Sequence, residues 1–233
     1  MRTNESVQIS VRSYLSIQLI QSAALFSKLA AGVEANFDRS NKGALLSEHR
    51  SYVTGTIFTA VAFLEANINE IFKDCHDDFD HKNIMGLGPE AIKMYGQIWG
   101  LKLSGNASFS ILDKYQIALT LAKKDLFDRG ALPYQDAENL IRLRNALMHY
   151  KPESVSTVSH EDSSANREQQ MEKWLKGKFP LNPLTGAGSP YFPHKCLSYG
   201  CSAWAVKSCL TLTDTFYTRL SLTPTYEHVR EKL

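Results

Sequence analysis

The chain has 233 residues, of which 43% are hydrophobic, and its 26 basic and 24 acidic side chains nearly cancel to a net charge of +2. That balance excludes a protein held to DNA by a broad positive field and excludes an acidic tail protein, while leaving room for a local basic spot. The opening MRTNESVQIS lacks the apolar centre of a secretion signal, and Gln18, Gln21 and Lys28 interrupt the best membrane-span candidate, so a cytoplasmic protein with no membrane partner is expected.

The first element is a long helix over about residues 5 to 35, with Val11, Leu15, Leu19, Phe26 and Leu29 at helical spacing. FDRSNKGAL breaks it at Asn41 and Gly43. A second long helix is predicted from Ser47, whose hydroxyl suits a cap. Its stripe is Val53, Ile57, Ala60, Val61, Leu64, Ile68, Ile71 and Phe72, and it runs out in KDCHDDFDHKN. Shorter helices follow at about 89 to 99 and 109 to 124. The next begins at Pro133, where proline is tolerated, and ends near Tyr150 because Pro152 disfavours helical geometry at Lys151.

Beyond it, PESVSTVSHEDSSANRE is polar and serine-rich and is expected to be mobile. A short amphipathic helix showing Met171, Trp174 and Leu175 is predicted in QMEKWLKGKF, then a proline- and glycine-rich loop. A last helix over about 195 to 222 should pack Val206, Cys209, Leu210, Phe216, Tyr217 and Leu220. No stretch alternates long enough to require a sheet. The expected architecture is an all-α helical bundle, with two long antiparallel helices and shorter ones closing on them. It is read as one domain, 1–233, carrying a polar and Pro/Gly-rich insertion at about 152–194.

Chemistry concentrates in LIRLRNALMHYKPE, residues 140 to 153. Arg144 falls inside an apolar stripe formed by Ala137, Leu140, Ile141, Leu147 and Met148. A buried guanidinium must be paired, so either an acid meets Arg144 or its stripe faces a cleft or subunit interface. The ordinary reading is a structural ion pair between helices. Glu65 and Asn67, flanking the second helix's stripe, are candidates to pair with or orient Arg144, with an exposed helix edge as the plainer reading of Asn67. His149 sits at a helix C-terminus, where the backbone dipole favours its charged form. An imidazole exchanges protons near neutral pH, and a guanidinium holds a phosphate through two donors. RNA brings its own nucleophile, the 2′-hydroxyl, so neither metal nor cofactor is required. Residues five apart on a helix point roughly 140° away from each other. Two copies of the helix meeting across a two-fold axis would bring both groups to one phosphate.

Arg144-Asn145-x-x-x-His149 resembles the R-x4-6-H motif of the HEPN superfamily, including its frequent polar residue after the arginine. AVAFLEANINEIFKD is similar to the second-helix segment of such domains. The resemblance covers residues 5 to 151 and the last helix. It implies an all-α homodimer with a composite site at the interface, and in many members a metal-independent endoribonuclease of toxin–antitoxin or antiviral systems. It further implies Arg144 and His149 as catalytic residues with Asn145 supporting them, RNA as substrate, and an antitoxin or defence protein as partner; Glu65, from its place on the second helix, is the other supporting candidate. The alternative it implies is a non-cutting module that binds RNA, a nucleotide or another protein. One feature departs from the subgroup modified by partner nucleotidyltransferases: Lys151, not tyrosine, stands two residues after the histidine.

Other groupings are looser. Cys75, His76, Asp77, Asp78, Asp80 and His81 are ligand types for a divalent ion, and a metal-dependent nuclease built on them is the third reading. His194-x-Cys196-x4-Cys201 has zinc-ligand types without a recognised spacing. TGAGS lacks the lysine of a phosphate loop. The four cysteines lack CxxC spacing and are expected to be free thiols.

Overall fold

The computed structural model describes residues 12–37, 42–77, 84, 86–101, 109–151 and 167–233. Among these residues the chain is all-helical, with no strand. The elements are α1 (Leu15–Ala35), α2 (Lys42–Asp77), α3 (Pro89–Gly100), α4 (Ile111–Leu121), α5 (Tyr134–Met148), α6 (Arg167–Leu175) and α7 (Tyr199–Leu220). A wide turn at Tyr191–Lys195 precedes α7, and a short 3₁₀ helix, Glu227–Lys232, follows it. Val11, the predicted start of the first helix and the polar stretch 152–166 lie outside the described residues.

α1 and α2 form the predicted antiparallel hairpin. At one end the Ser16 amide and hydroxyl both donate to Glu70, and the Tyr14 hydroxyl donates to Asp74. At the other, His49 Nε2 lies 2.8 Å from Glu34 Oε1. Glu34 also accepts the Tyr199 amide of α7 at 2.6 Å, so one carboxylate joins three helices. α2 has 36 residues, roughly 54 Å at the helical rise, and forms the axis of the bundle. Its predicted stripe from Val53 to Phe72 is buried. α7 runs parallel to it: Cys209 Sγ meets the Ala60 carbonyl oxygen, and Asn67 meets Tyr217 further along.

Two sequence readings need correction here. α2 begins at Lys42, so Ser47 is inside the helix, where its carbonyl oxygen accepts the Ser51 hydroxyl. Leu45 and Leu46 are half-buried, so the helix gains contacts by starting earlier. The buried face of α1 is Ser16, Ile20, Ala23, Ser27 and Ala30, while Leu15 and Leu29 are exposed. Small side chains let α1 lie close along α2, and the large leucines one position away are turned out. Phe26 packs over Gly55 of α2, where an added Cβ would stand 3.0 Å from its ring.

The shorter elements follow their signals. Ser110 caps α4 by accepting the Asp113 amide, and Ser198 caps α7 by accepting that of Cys201. Pro89 opens α3. α6 buries Met171 and Leu175 as expected, and α7 buries Val206, Cys209, Phe216, Tyr217 and Leu220. One hydrophobic cluster draws side chains from α1 through the terminal 3₁₀ helix. No helix among the described residues is long and apolar enough to cross a membrane.

Asn67 is fully buried, against the plainer reading of it as an exposed edge. Its amide donates to the Tyr217 hydroxyl at 2.9 Å, and the Tyr115 hydroxyl stands 3.4 Å from its carbonyl oxygen. Replacing it removes a donor from a dry site. Asn67→Ala is therefore expected to cost about 1–3 kcal/mol of stability. An unchanged urea midpoint for this variant would contradict the assigned contact.

Candidate functional site

α5 positions the site. It buries Tyr134, Ala137, Asn139, Leu140, Leu143 and Ala146 against the bundle. Ile141 and Leu147 are half-buried, and Met148 is 54% exposed, so the real stripe is narrower than the sequence pattern. Arg144 lies on its flank and is half-buried. Its Nε is covered and has no hydrogen-bond partner among the described residues. No acid among the described residues pairs with it. The two other candidates from α2 are engaged elsewhere: Glu65 lies 3.6 Å from Lys114 of α4, and Asn67 holds Tyr217. The expected interhelical ion pair of Arg144 is thus absent among the described residues.

Arg142, two residues earlier, shows what a structural arginine looks like on this helix. It pairs with Glu138 at 3.0 Å and its guanidinium lies 4.6 Å over the Trp174 ring. Both interactions hold its charge in place. Arg144 has neither.

His149 is the residue that ends α5. Its backbone N–H donates to the Asn145 carbonyl oxygen at 2.9 Å, and its φ of −107° and ψ of 37° leave the helix. Its side chain is exposed, as is that of Asn145. The neighbouring Met148 and Tyr150 are about half exposed as well, which leaves apolar surface beside the imidazole. Lys151 is exposed. Arginine, amide and imidazole thus lie within the last turns of one helix.

One feature near this end escaped sequence reasoning. The Tyr150 ring lies 6.2 Å from that of Phe192 in the Tyr191–Lys195 turn. Two residues on, Nδ1 of His194 is 3.0 Å from Nη2 of Arg50, near the start of α2. Burial and the Arg50 charge push the His194 imidazole below its ordinary range, with Glu168 pulling weakly the other way. A lowered folded value means that the contact's contribution to stability is present above about pH 6.5 and is lost as pH falls through the lower folded value. No local spacing signals this pair, because its partners are far apart in sequence.

The metal candidates fare differently. Cys75 is buried, its thiol pushed up to about 12 by burial. His76 Nδ1 is 2.9 Å from the Gly96 carbonyl oxygen, and Asp77 pairs with Arg12 and Lys73. Asp78, Asp80 and His81 lie outside the described residues. Cys196 and Cys201 are buried free thiols, raised in the same way, while His194 takes Arg50. The described residues contain no group of three His, Cys, Asp or Glu side chains placed to hold a metal ion. A groove of about 560 Å³ lies at the other end of α5, lined by Leu132, Pro133, Phe179, Tyr199 and Trp204 among others; neither Arg144 nor His149 contributes to it.

Compared with known proteins, the chain matches no family model, no curated protein and no solved structure at a significant level.

Proposed function

We propose that this all-helical chain is a HEPN-type domain. Within that class it is a metal-independent endoribonuclease acting as a homodimer, in a bacterial toxin or antiviral defence system in the cytoplasm. The observation that carries the reading is the end of α5: Arg144 has no acid partner among the described residues, and a solvent-facing His149 terminates the same helix. The RNA 2′-hydroxyl attacks the adjacent phosphorus and the 5′-oxygen leaves. His149 takes or gives the proton in that exchange. Arg144 binds the scissile phosphate and offsets the charge that builds on it. Asn145 orients the two, and an antitoxin or other defence protein is the expected partner.

The engagement of Glu65 with Lys114 favours a second reading, a HEPN-like module that binds RNA, a nucleotide or a protein without cutting. Incubation of the protein with single-stranded RNA, with and without EDTA, separates the two. The expected result is cleavage that persists in EDTA and leaves a cyclic phosphate or 3′-phosphate on one fragment and a 5′-hydroxyl on the other. The Arg144→Ala/His149→Ala double variant should be inactive. Binding without cleavage would support the second reading, and cleavage stopped by EDTA would point to a metal-dependent reaction instead.

A further inference from the structure

The motif helix ends beside a second arginine–histidine pair. The Tyr150–Phe192 ring contact fixes the Tyr191–Lys195 turn against the residue that follows His149. That turn holds His194 on Arg50 of α2 at 3.0 Å. An arginine nitrogen only donates, so Nδ1 of His194 is the acceptor and the ring proton is on Nε2. Nδ1 therefore holds the guanidinium in one orientation and leaves the remaining Arg50 N–H groups as donors, while Nε2–H points to the opposite edge of the ring. His194 is half-buried and Arg50 is exposed. No carboxylate among the described residues lies within ion-pair distance of either side chain.

We propose that Arg50, oriented by His194, binds a phosphate of the RNA strand next to the scissile one, extending the site on the side of its own chain's His149. The proposal rests on the endoribonuclease reading. Its chemistry is specific: guanidinium donors held in one orientation, with no carboxylate among the described residues in ion-pair distance and Glu168 acting on His194 only from further off, suit a phosphate oxygen. The Arg50–His194 contact orients the pair, so the two side chains act as one unit. A backbone contact of this kind binds all sequences alike and depends on salt.

The test uses a short single-stranded RNA carrying 2′-O-methyl groups, which removes the nucleophile and leaves the phosphates. Binding is followed by fluorescence anisotropy over a range of salt for the full chain, Arg50→Ala, His194→Ala, His194→Gln and the Arg50→Ala/His194→Ala double variant. Arg50→Ala is expected to weaken binding about tenfold or more and to reduce the salt slope by about one. The double variant should lose scarcely more than the weaker-binding single variant, because the pair acts together. His194→Gln keeps a side-chain acceptor for Arg50 and should bind better than His194→Ala. With cleavable RNA, Arg50→Ala should raise KM more than it lowers kcat. Arg50 is exposed, so its variant should unfold at the wild-type temperature, which keeps the comparison interpretable. If the unsubstituted chain binds and cuts RNA while Arg50→Ala has unchanged affinity and salt slope, the pair has no such role and the nuclease reading stands. If the unsubstituted chain neither binds nor cuts RNA, both fall together.

Discussion

His149→Ala is expected to lower RNA cleavage by about 10²–10⁴-fold, the range general acid–base catalysis supplies. The fold should be kept. His149 is exposed at the C-cap of α5, and its backbone bond to Asn145 does not involve the side chain. An exposed side chain at a helix end leaves no large cavity when it is truncated. Cleavage assays and thermal unfolding on the same preparation make the comparison. Full activity with normal unfolding would remove His149 from the mechanism.

The second large effect concerns how two chains share a site. Arg144 and His149 lie on one helix end with Met148 and Tyr150 exposed beside them, so a two-fold contact there presents the same patch from each chain. On the proposed dimeric reading, Arg144 of one subunit acts with His149 of the other. Arg144→Ala alone should be inactive, and its stability should fall by less than the roughly 3–5 kcal/mol lost when a buried ion pair is broken, because no acid among the described residues is left stranded. Each single variant, as a homodimer, lacks a complete site. A heterodimer of Arg144→Ala with His149→Ala has one site missing both groups and one site with both. Co-refolding equal amounts makes about half the dimers mixed, so roughly a quarter of wild-type cleavage should return. Distinct affinity tags establish that exchange has occurred. Confirmed heterodimers with no recovered cleavage would place both groups of a site in one chain.

By itself the sequence determined the helices and the position of the motif on them. The apolar stripe of α2 from Val53 to Phe72 has one face and one period, so it could be read directly, as could the termination of α5 before Pro152. The proximity of Arg144 and His149 along α5 was legible for the same reason: helical spacing is local. The burial of α1 was not. Its leucines and its small residues occupy adjacent faces, both apolar enough to satisfy a period of 3.6, and only close packing against α2 selected Ser16, Ile20, Ala23 and Ala30. Partners were not legible either. Whether an arginine in a greasy stripe is structural depends on which groups other helices bring to it: Glu138 and Trp174 meet Arg142, and no described acid meets Arg144. Asn67 reads as polar on an edge until Tyr217 and Tyr115 arrive from α7 and α4. His194, which the sequence offered only as a loose zinc ligand, gained Arg50 because the tertiary fold brings the turn before α7 back onto the first turns of α2. Local periodicity fixes which way a side chain leaves its own helix, whereas its electrostatic partner is set by chain crossings that no nearby residue encodes.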